Sequence, residues 1–218
     1  MPLLDELSRL RAQELERIPR GVREITERAM QQLARTGGTK GALQEGDRAP
    51  GFSLESLDGR IIRLSDLLAR GPVMLNFFRG GWCPFCSLEL RAYQRLIESI
   101  ENVGASLVAI SPETHAYLRS AAEQNQLSFP VLSDANNRVA ESFGLVYVVP
   151  EALRSIYEGF GLDLPERNGD PSFRLPIPAT YLVDPAGIIR RAFVDLDHTC
   201  RGEPQAFLEG VRELQGSP

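Results

Sequence analysis

The chain has 218 residues, 43% of them apolar, and its 24 basic and 29 acidic side chains give a net charge of −5. That length supports one well-buried core with extensions. The scattered basic residues form no stripe that would attract nucleic acid or an anionic membrane, and no apolar run approaches the roughly 20 residues that cross a bilayer, so neither partner is expected.

The N-terminus is charged and lacks a signal peptide's apolar stretch, and three cysteines are too few for a disulfide scaffold, which makes a cytoplasmic protein the default expectation. Residues 3–36 repeat apolar side chains at spacings of three and four (Leu3, Leu7, Leu10, then Ile18, Val22, Ile25, Ala29, Leu33), which predicts two helices broken near Pro19. Gly37-Gly38-Thr39-Lys40-Gly41 interrupts the pattern, so residues 1–45 read as a helical arm with a linker and residues 46–218 as the main domain. The arm's apolar face needs cover, either from its own domain or from a second subunit.

In the main domain, Phe52–Leu54 and Ile61–Leu64 flank Asp58-Gly59 as a hairpin, and Ser65 caps a short helix. Val73–Phe78 is apolar without alternation, as a buried parallel strand should be. A helix over about 86–101 follows, then a strand at Ser106–Ile110, a helix at Glu113–Asn125, a short strand or turn at Val131-Leu132 and a helix at Asn136–Phe143. Leu145–Val149 reads as a strand, Glu151–Phe160 as a helix, and Gly161–Pro178 as a Gly-, Asp- and Pro-rich loop without a core. Ala179–Val183 and Ile188–Val194 flank the turn Asp184-Pro185-Ala186-Gly187, and Pro204–Leu214 supplies a last helix. Strands alternating with helices, closed by a hairpin and a helix, predict an α/β sandwich with a mixed sheet.

Reactive residue types meet at one place. Cys83 and Cys86 stand in a C-x-x-C pair where the Val73–Phe78 strand hands over to a helix, which is the thioredoxin-like signal. Pro84 suits the first helical position and makes Cys83 the N-cap, where free amides and the positive helix end favour a thiolate; on this reasoning Cys83 is the more exposed nucleophile. Cys86, one turn on, lies within disulfide reach. Arg79 can stabilise a thiolate or developing negative charge, or be a solvated loop residue; Trp82 is expected to cover the thiols. Zinc would need four ligands, and beyond the pair only Cys200, His198 and His115 remain, so no metal is expected. Cys200 stands alone.

Residues 46–215 resemble the peroxiredoxins, specifically the alkyl hydroperoxide reductase/thiol-specific antioxidant branch of the thioredoxin-like superfamily. Phe77 to Cys86 matches the family's Phe-Tyr-Pro-x-x-x-Thr-x-x-Cys in length, with Arg79 at the Pro and Cys83 at the Thr. On that register Cys86 takes the peroxidatic position and Glu89 the acidic one three places on. Phe129-Pro130-Val131-Leu132-Ser133-Asp134 with Val139-Ala140 and Phe143-Gly144 resembles a second block, whose active-site Arg falls on Asn137. Tyr181-Leu182-Val183-Asp184 resembles the final strand pair, whose Arg falls on Arg190, while Pro178 matches the cis-proline of thioredoxin-like reductases. The resemblance implies a three-layer thioredoxin-like sandwich. It further implies a cofactor-free enzyme that reduces hydrogen peroxide or organic hydroperoxides, forms a Cys83–Cys86 disulfide and is recycled by a thioredoxin-like dithiol protein; a homodimer is also possible on this basis. A protein disulfide oxidoreductase without a peroxide substrate is the alternative, and which sulfur attacks first stays open.

Overall fold

The computed structural model describes residues 1–216. Its centre is a five-stranded sheet of β3 (Val73–Phe77), β4 (Ser106–Ser111), β5 (Val131–Ser133), β8 (Ala179–Val183) and β9 (Ile189–Val194), in the order β5-β4-β3-β8-β9. β3, β4 and β5 run parallel, whereas β8 and β9 are antiparallel to their neighbours, so the sheet is mixed as expected. Side chains alternate between its two faces. Val73, Leu75 and Phe77 join one apolar cluster with Val108, Ile110 and Tyr181, while Met74 and Phe78 join a second with Leu107, Ala109 and Leu182. Helices cover both clusters and complete the three-layer sandwich.

The first cluster is covered by α2 (Arg20–Arg35), α3 (Leu64–Leu68), α7 (Arg138–Ser142), α8 (Glu151–Gly159) and α9 (Leu164–Asn168). The second lies under α1 (Leu3–Arg17), α4 (Pro84–Gln94), α5 (Ile97–Asn102), α6 (His115–Gln124) and α10 (Pro204–Gly216). Both N-terminal helices therefore dock on their own chain: α1 buries Leu3 and Leu7 against the α4 layer, and α2 buries Ala29 beside α8. The hairpin forms as β1 (Ser53–Glu55) and β2 (Ile61–Arg63).

Several expected boundaries move. The predicted 86–101 helix starts at Pro84 and splits into α4 and α5, because the Leu96 N–H donates to the Tyr93 carbonyl three residues back; the tightened turn redirects Ile97 and Ile100 into the core. The predicted helix at Glu113 starts at His115 instead, with Thr114 as N-cap. The Asn136–Phe143 helix begins only at Arg138, since Asn136 and Asn137 are left-handed (φ 62 and 56°) and the Asp134 carboxylate accepts from the Val139 and Ala140 N–H groups. Most different is 161–178, expected as a coreless loop. It holds α9, whose N-cap Asp163 accepts from Glu166 N, and β7 (Arg174–Pro176), which pairs with β6 (Val146–Val148) in a separate small sheet; Leu164, Leu175 and Ile177 are buried. Among the described residues no helix is long and apolar enough to cross a membrane.

Candidate active site

β3 delivers Phe78 and Arg79 to the C-terminal edge of the sheet, Gly80-Gly81-Trp82 reverses the chain, and α4 starts at Pro84 with Cys83 as its N-cap. The turn requires glycine. A Cβ on Gly80 would lie 2.3 Å from Trp82 Nε1, and one on Gly81 would lie 2.4 Å from the Ala121 Cβ. The fully buried Glu113 fixes the turn from below: its carboxylate accepts from the Gly81 N–H (2.6 Å) and pairs with Arg167 (2.9 Å). Gly81→Ala is therefore expected to lower stability by about 1–3 kcal/mol in denaturant unfolding, and an unchanged midpoint would show that α6 yields without cost.

Cys83 and Cys86 are free thiols, exposed by only 1% and 0%. The expectation of a more exposed Cys83 is thus corrected: the segment after β9 folds over the pair, with His198 edge-on to Phe85 (5.8 Å) and Arg201 donating to the Cys86 sulfur (3.3 Å).

Two buried guanidiniums flank the sulfurs, and they differ in what neutralises them. Arg201 Nε is bonded to Glu89 at 2.6 Å, both side chains being 1% exposed, and its Nη1 donates to the His198 and Cys200 carbonyls (2.6 Å each). Arg79 donates to the Tyr157 hydroxyl (2.6 Å) and stacks on Trp82 (4.7 Å to the ring centre); its Nε has no hydrogen-bond partner, and among the described residues no carboxylate pairs with it. Beneath Glu89 the polar network continues into the sheet. Thr180 donates to Glu89 (3.4 Å) and accepts from Asn76 Nδ2 (3.0 Å) and the Tyr93 hydroxyl (3.3 Å).

These surroundings push the two thiols apart. The Cys86 thiol beside it, then Arg79 and Arg201, hold Cys83 below its ordinary value, at about 5, against the cost of burial. Burial and the interaction with Cys83 push Cys86 well up. Burial also lifts Glu89 to about 7, although Arg201 pulls the other way.

Of the residues singled out in the sequence, Arg79, Trp82, Cys83, Pro84, Cys86 and Glu89 come together here. Pro178 reaches the same end of the sheet, just before Ala179, which pairs with Phe77. Its expected cis bond is absent: the described residues contain no cis peptide, and β7 passes directly into β8 with the Ile177 N–H held by the Leu145 carbonyl (2.6 Å). Arg190 is not at the site. Lying beside the β8–β9 turn, at the opposite end of strands about 15 Å long, it pairs with Asp184 at 2.7 Å. Asn137 lies after β5 and donates to the Arg174 carbonyl (3.2 Å).

The sequence profile of the AhpC/TSA family matches residues 45–192. The chain belongs to the AhpC/TSA family. It is 29% identical over 157 residues to chloroplastic peroxiredoxin Q of Triticum aestivum, covering 72% of this chain and 62% of that protein. It is 32% identical over 107 residues to the thiol-disulfide oxidoreductase ResA of Bacillus anthracis, covering 49% of this chain and 61% of that one. The solved peroxidoxin BcpB of Mycobacterium tuberculosis superposes with a TM-score of 0.61 at 24% identity, over 79% of this chain and 98% of its own, which supports the fold. Within this AhpC/TSA chain, α1, α10 and Arg201 lie outside the family match.

Proposed function

We propose that this chain is a thiol peroxidase in which Cys83 attacks and Cys86 resolves. The observation that carries the assignment is the unequal neutralisation of the two guanidiniums: Arg79, with no carboxylate partner among the described residues, is the stronger cation at Cys83, whereas Arg201, the stronger cation at Cys86, is already engaged by Glu89. The Cys83 thiolate takes the terminal peroxide oxygen. An S–O bond forms, the O–O bond breaks, and the leaving oxygen takes up a proton and departs as an alcohol, or as water from hydrogen peroxide. Cys86 then displaces hydroxide from the sulfenic acid, its own proton completing the water that leaves as the S–S bond forms. The sulfurs have lost two electrons and the peroxide has gained two. A thioredoxin-like dithiol protein returns them by thiol–disulfide exchange, in a cytoplasmic setting that keeps the pair reduced.

Supporting roles follow from position. Arg79 and Arg201 stabilise the charge that moves from sulfur to oxygen; Pro84 sets the helix start; Glu89 holds Arg201; Trp82 packs on Arg79. Stopped-flow mixing of reduced protein with hydrogen peroxide, followed through the fluorescence of Trp82, the chain's single tryptophan, tests the scheme. Wild type should react far faster than free cysteine. Cys86→Ser should keep the first oxygen transfer and stop at a sulfenic acid trappable by dimedone, and Cys83→Ser should lose the fast phase. The reverse pattern would transfer the attack to Cys86, and a wild-type rate equal to free cysteine would end the peroxidase reading.

A protein disulfide oxidoreductase is the second reading, favoured by the ResA similarity and by Cys83 standing where the family resemblance places a Thr. Insulin reduction dependent on both cysteines, without a fast peroxide phase, would select it.

A further inference from the structure

Arg79 is a buried cation held by neutral groups. Its side chain is 2% exposed, yet the group that accepts from its Nη2 is the Tyr157 hydroxyl at 2.6 Å, and a phenol hydroxyl carries no charge. Two rings complete the holder. The guanidinium carbon lies 4.7 Å from the centre of the Trp82 ring and 5.9 Å from that of Tyr157, and the two ring centres are 5.9 Å apart. Arg201 is the contrast, since Glu89 both fixes and neutralises it.

Tyr157 is itself set by α8. Leu153, one turn earlier on the same helix face, is buried, and Ile156 and Tyr157 pack on the same apolar cluster. Arg154 pins the start of the helix by donating to the Val149 carbonyl (3.1 Å) and lying over Phe173 (4.4 Å), and the Leu162 N–H closes its end on the Tyr157 carbonyl (2.9 Å). α8 is thus anchored by contacts outside the thiol turn. From Arg79 to the sulfurs is one turn of chain: the Cys83 N–H donates to the Gly80 carbonyl (3.2 Å), and the Arg79 charge acts on both Cys83 and Cys86. Tyr147 on β6 is the second phenol it acts on, and Arg201 and His198, from the segment after β9, share its field.

We propose that Tyr157 is a positioning residue for the thiol pair: its hydroxyl fixes the Arg79 guanidinium at the sulfurs while leaving the positive charge uncancelled, so that α8 sets the reactivity of Cys83. A carboxylate in its place would hold Arg79 as firmly but would cancel the charge that favours the thiolate. Without the hydroxyl, Nη2 is left buried with no acceptor, and the guanidinium turns from the sulfurs to find one. The role in attack on peroxide rests on the thiol peroxidase reading; the effect on the thiolate does not.

Tyr157→Phe deletes the hydroxyl and keeps both ring contacts, and the test is a pH titration of reduced, full-length protein read by ultraviolet thiolate absorbance. In wild type the thiolate should form with a midpoint of about 5, in a step that Cys83→Ser lacks. Tyr157→Phe should raise the midpoint by about 0.5–1 unit, which is about a two- to fivefold loss of thiolate near pH 5. In an Arg79→Met background the same substitution should move it by less than about 0.2 unit, because no guanidinium is left to position. An unmoved midpoint in Tyr157→Phe, or an equal shift with and without Arg79, would overturn the proposal; a merely structural disturbance gives the equal shift. In a second arm, single-turnover reduction of hydrogen peroxide is measured at about pH 8, where Cys83 is ionised in every variant. Tyr157→Phe should be about three- to tenfold slower than wild type there, and without effect once Arg79 is Met. The expected midpoint shift in a protein that reduces peroxide no faster than free cysteine would sink the peroxidase reading and leave the positioning role standing. Fast peroxide reduction with an unmoved midpoint would sink the positioning role alone.

Discussion

Arg201→Met is expected to lower the unfolding free energy by about 3–5 kcal/mol, because it leaves Glu89 buried without its cation. The penalty should depend on pH in a definite direction. Burial already raises Glu89 from its ordinary 4.5 to about 7, so the folded chain holds that proton more tightly than the unfolded one. Its stabilising effect is full below the ordinary value and is lost as pH rises through the folded one. Without Arg201 the folded value rises further, so the variant should suffer most at about pH 8 and recover towards about pH 5. Combining Arg201→Met with Glu89→Leu removes both charges and should restore much of the loss. Denaturant unfolding of reduced protein reads all of these. A single variant as stable as wild type, or a double variant no better than the single, would show that the Glu89–Arg201 pair is not the buried, mutually dependent unit described above.

Arg79→Met should mainly slow the reaction, with a stability loss that shows above about pH 5, where Cys83 is a buried thiolate, and fades below it. Among the described residues no carboxylate pairs with Arg79, so the opposite charge that its removal leaves less compensated is the Cys83 thiolate. Its influence falls on Cys83, which must be a thiolate to attack. In wild type the rate should rise with pH through about 5 and be flat near neutrality. The sign in the variant is upward: losing a cation disfavours the anion, so the midpoint moves towards higher pH. The Cys86 thiol is the larger cause of the depression and stays in place, so the shift is partial. A rise of roughly 1.5 units costs roughly tenfold in thiolate near pH 5.5 and little above pH 8. Any deficit that persists at high pH measures transition-state stabilisation by the guanidinium. Single-turnover rates across the pH range check this, and an unmoved midpoint would assign the depression of Cys83 to other groups.

What could be read from the sequence was what local pattern encodes. Cys83, Pro84 and Cys86 are neighbours in the chain, and the strand before them and the helix after them follow from runs and spacings a few residues long. The three-layer architecture followed from the order of strands and helices. The partners of the thiols lie beyond that range: Arg201 meets Cys86 across 115 positions, and Glu113 meets Gly81 across 32. No spacing rule links such residues, and resemblance placed the family's arginines on Asn137, which bonds to the Arg174 carbonyl, and on Arg190, which lies at the far end of β9. α9 did carry a signal, since Asp163 three places before Glu166 is the capping pattern that its side-chain bond fulfils. It was obscured by the Gly and Pro around it. The segment after β9 reaches the site only through such distant contacts, Arg201 with Cys86 and His198 with Phe85.

The chain that leads into β1 also bears on how this molecule can associate. β9 is the last strand of the sheet, where an open row of backbone groups would invite strand addition from another chain. Here residues 45–48 already occupy part of that row. The Gly46 N–H donates to the Ile189 carbonyl, the Ile189 N–H to the Asp47 carbonyl and the Ala192 N–H to the Glu45 carboxylate, while Arg48 forms a bridge with Ile188. Two copies could merge their sheets along the first half of β9 only by stripping this segment away. That half of the edge is therefore guarded against fibril-like stacking as well as against strand-paired dimers.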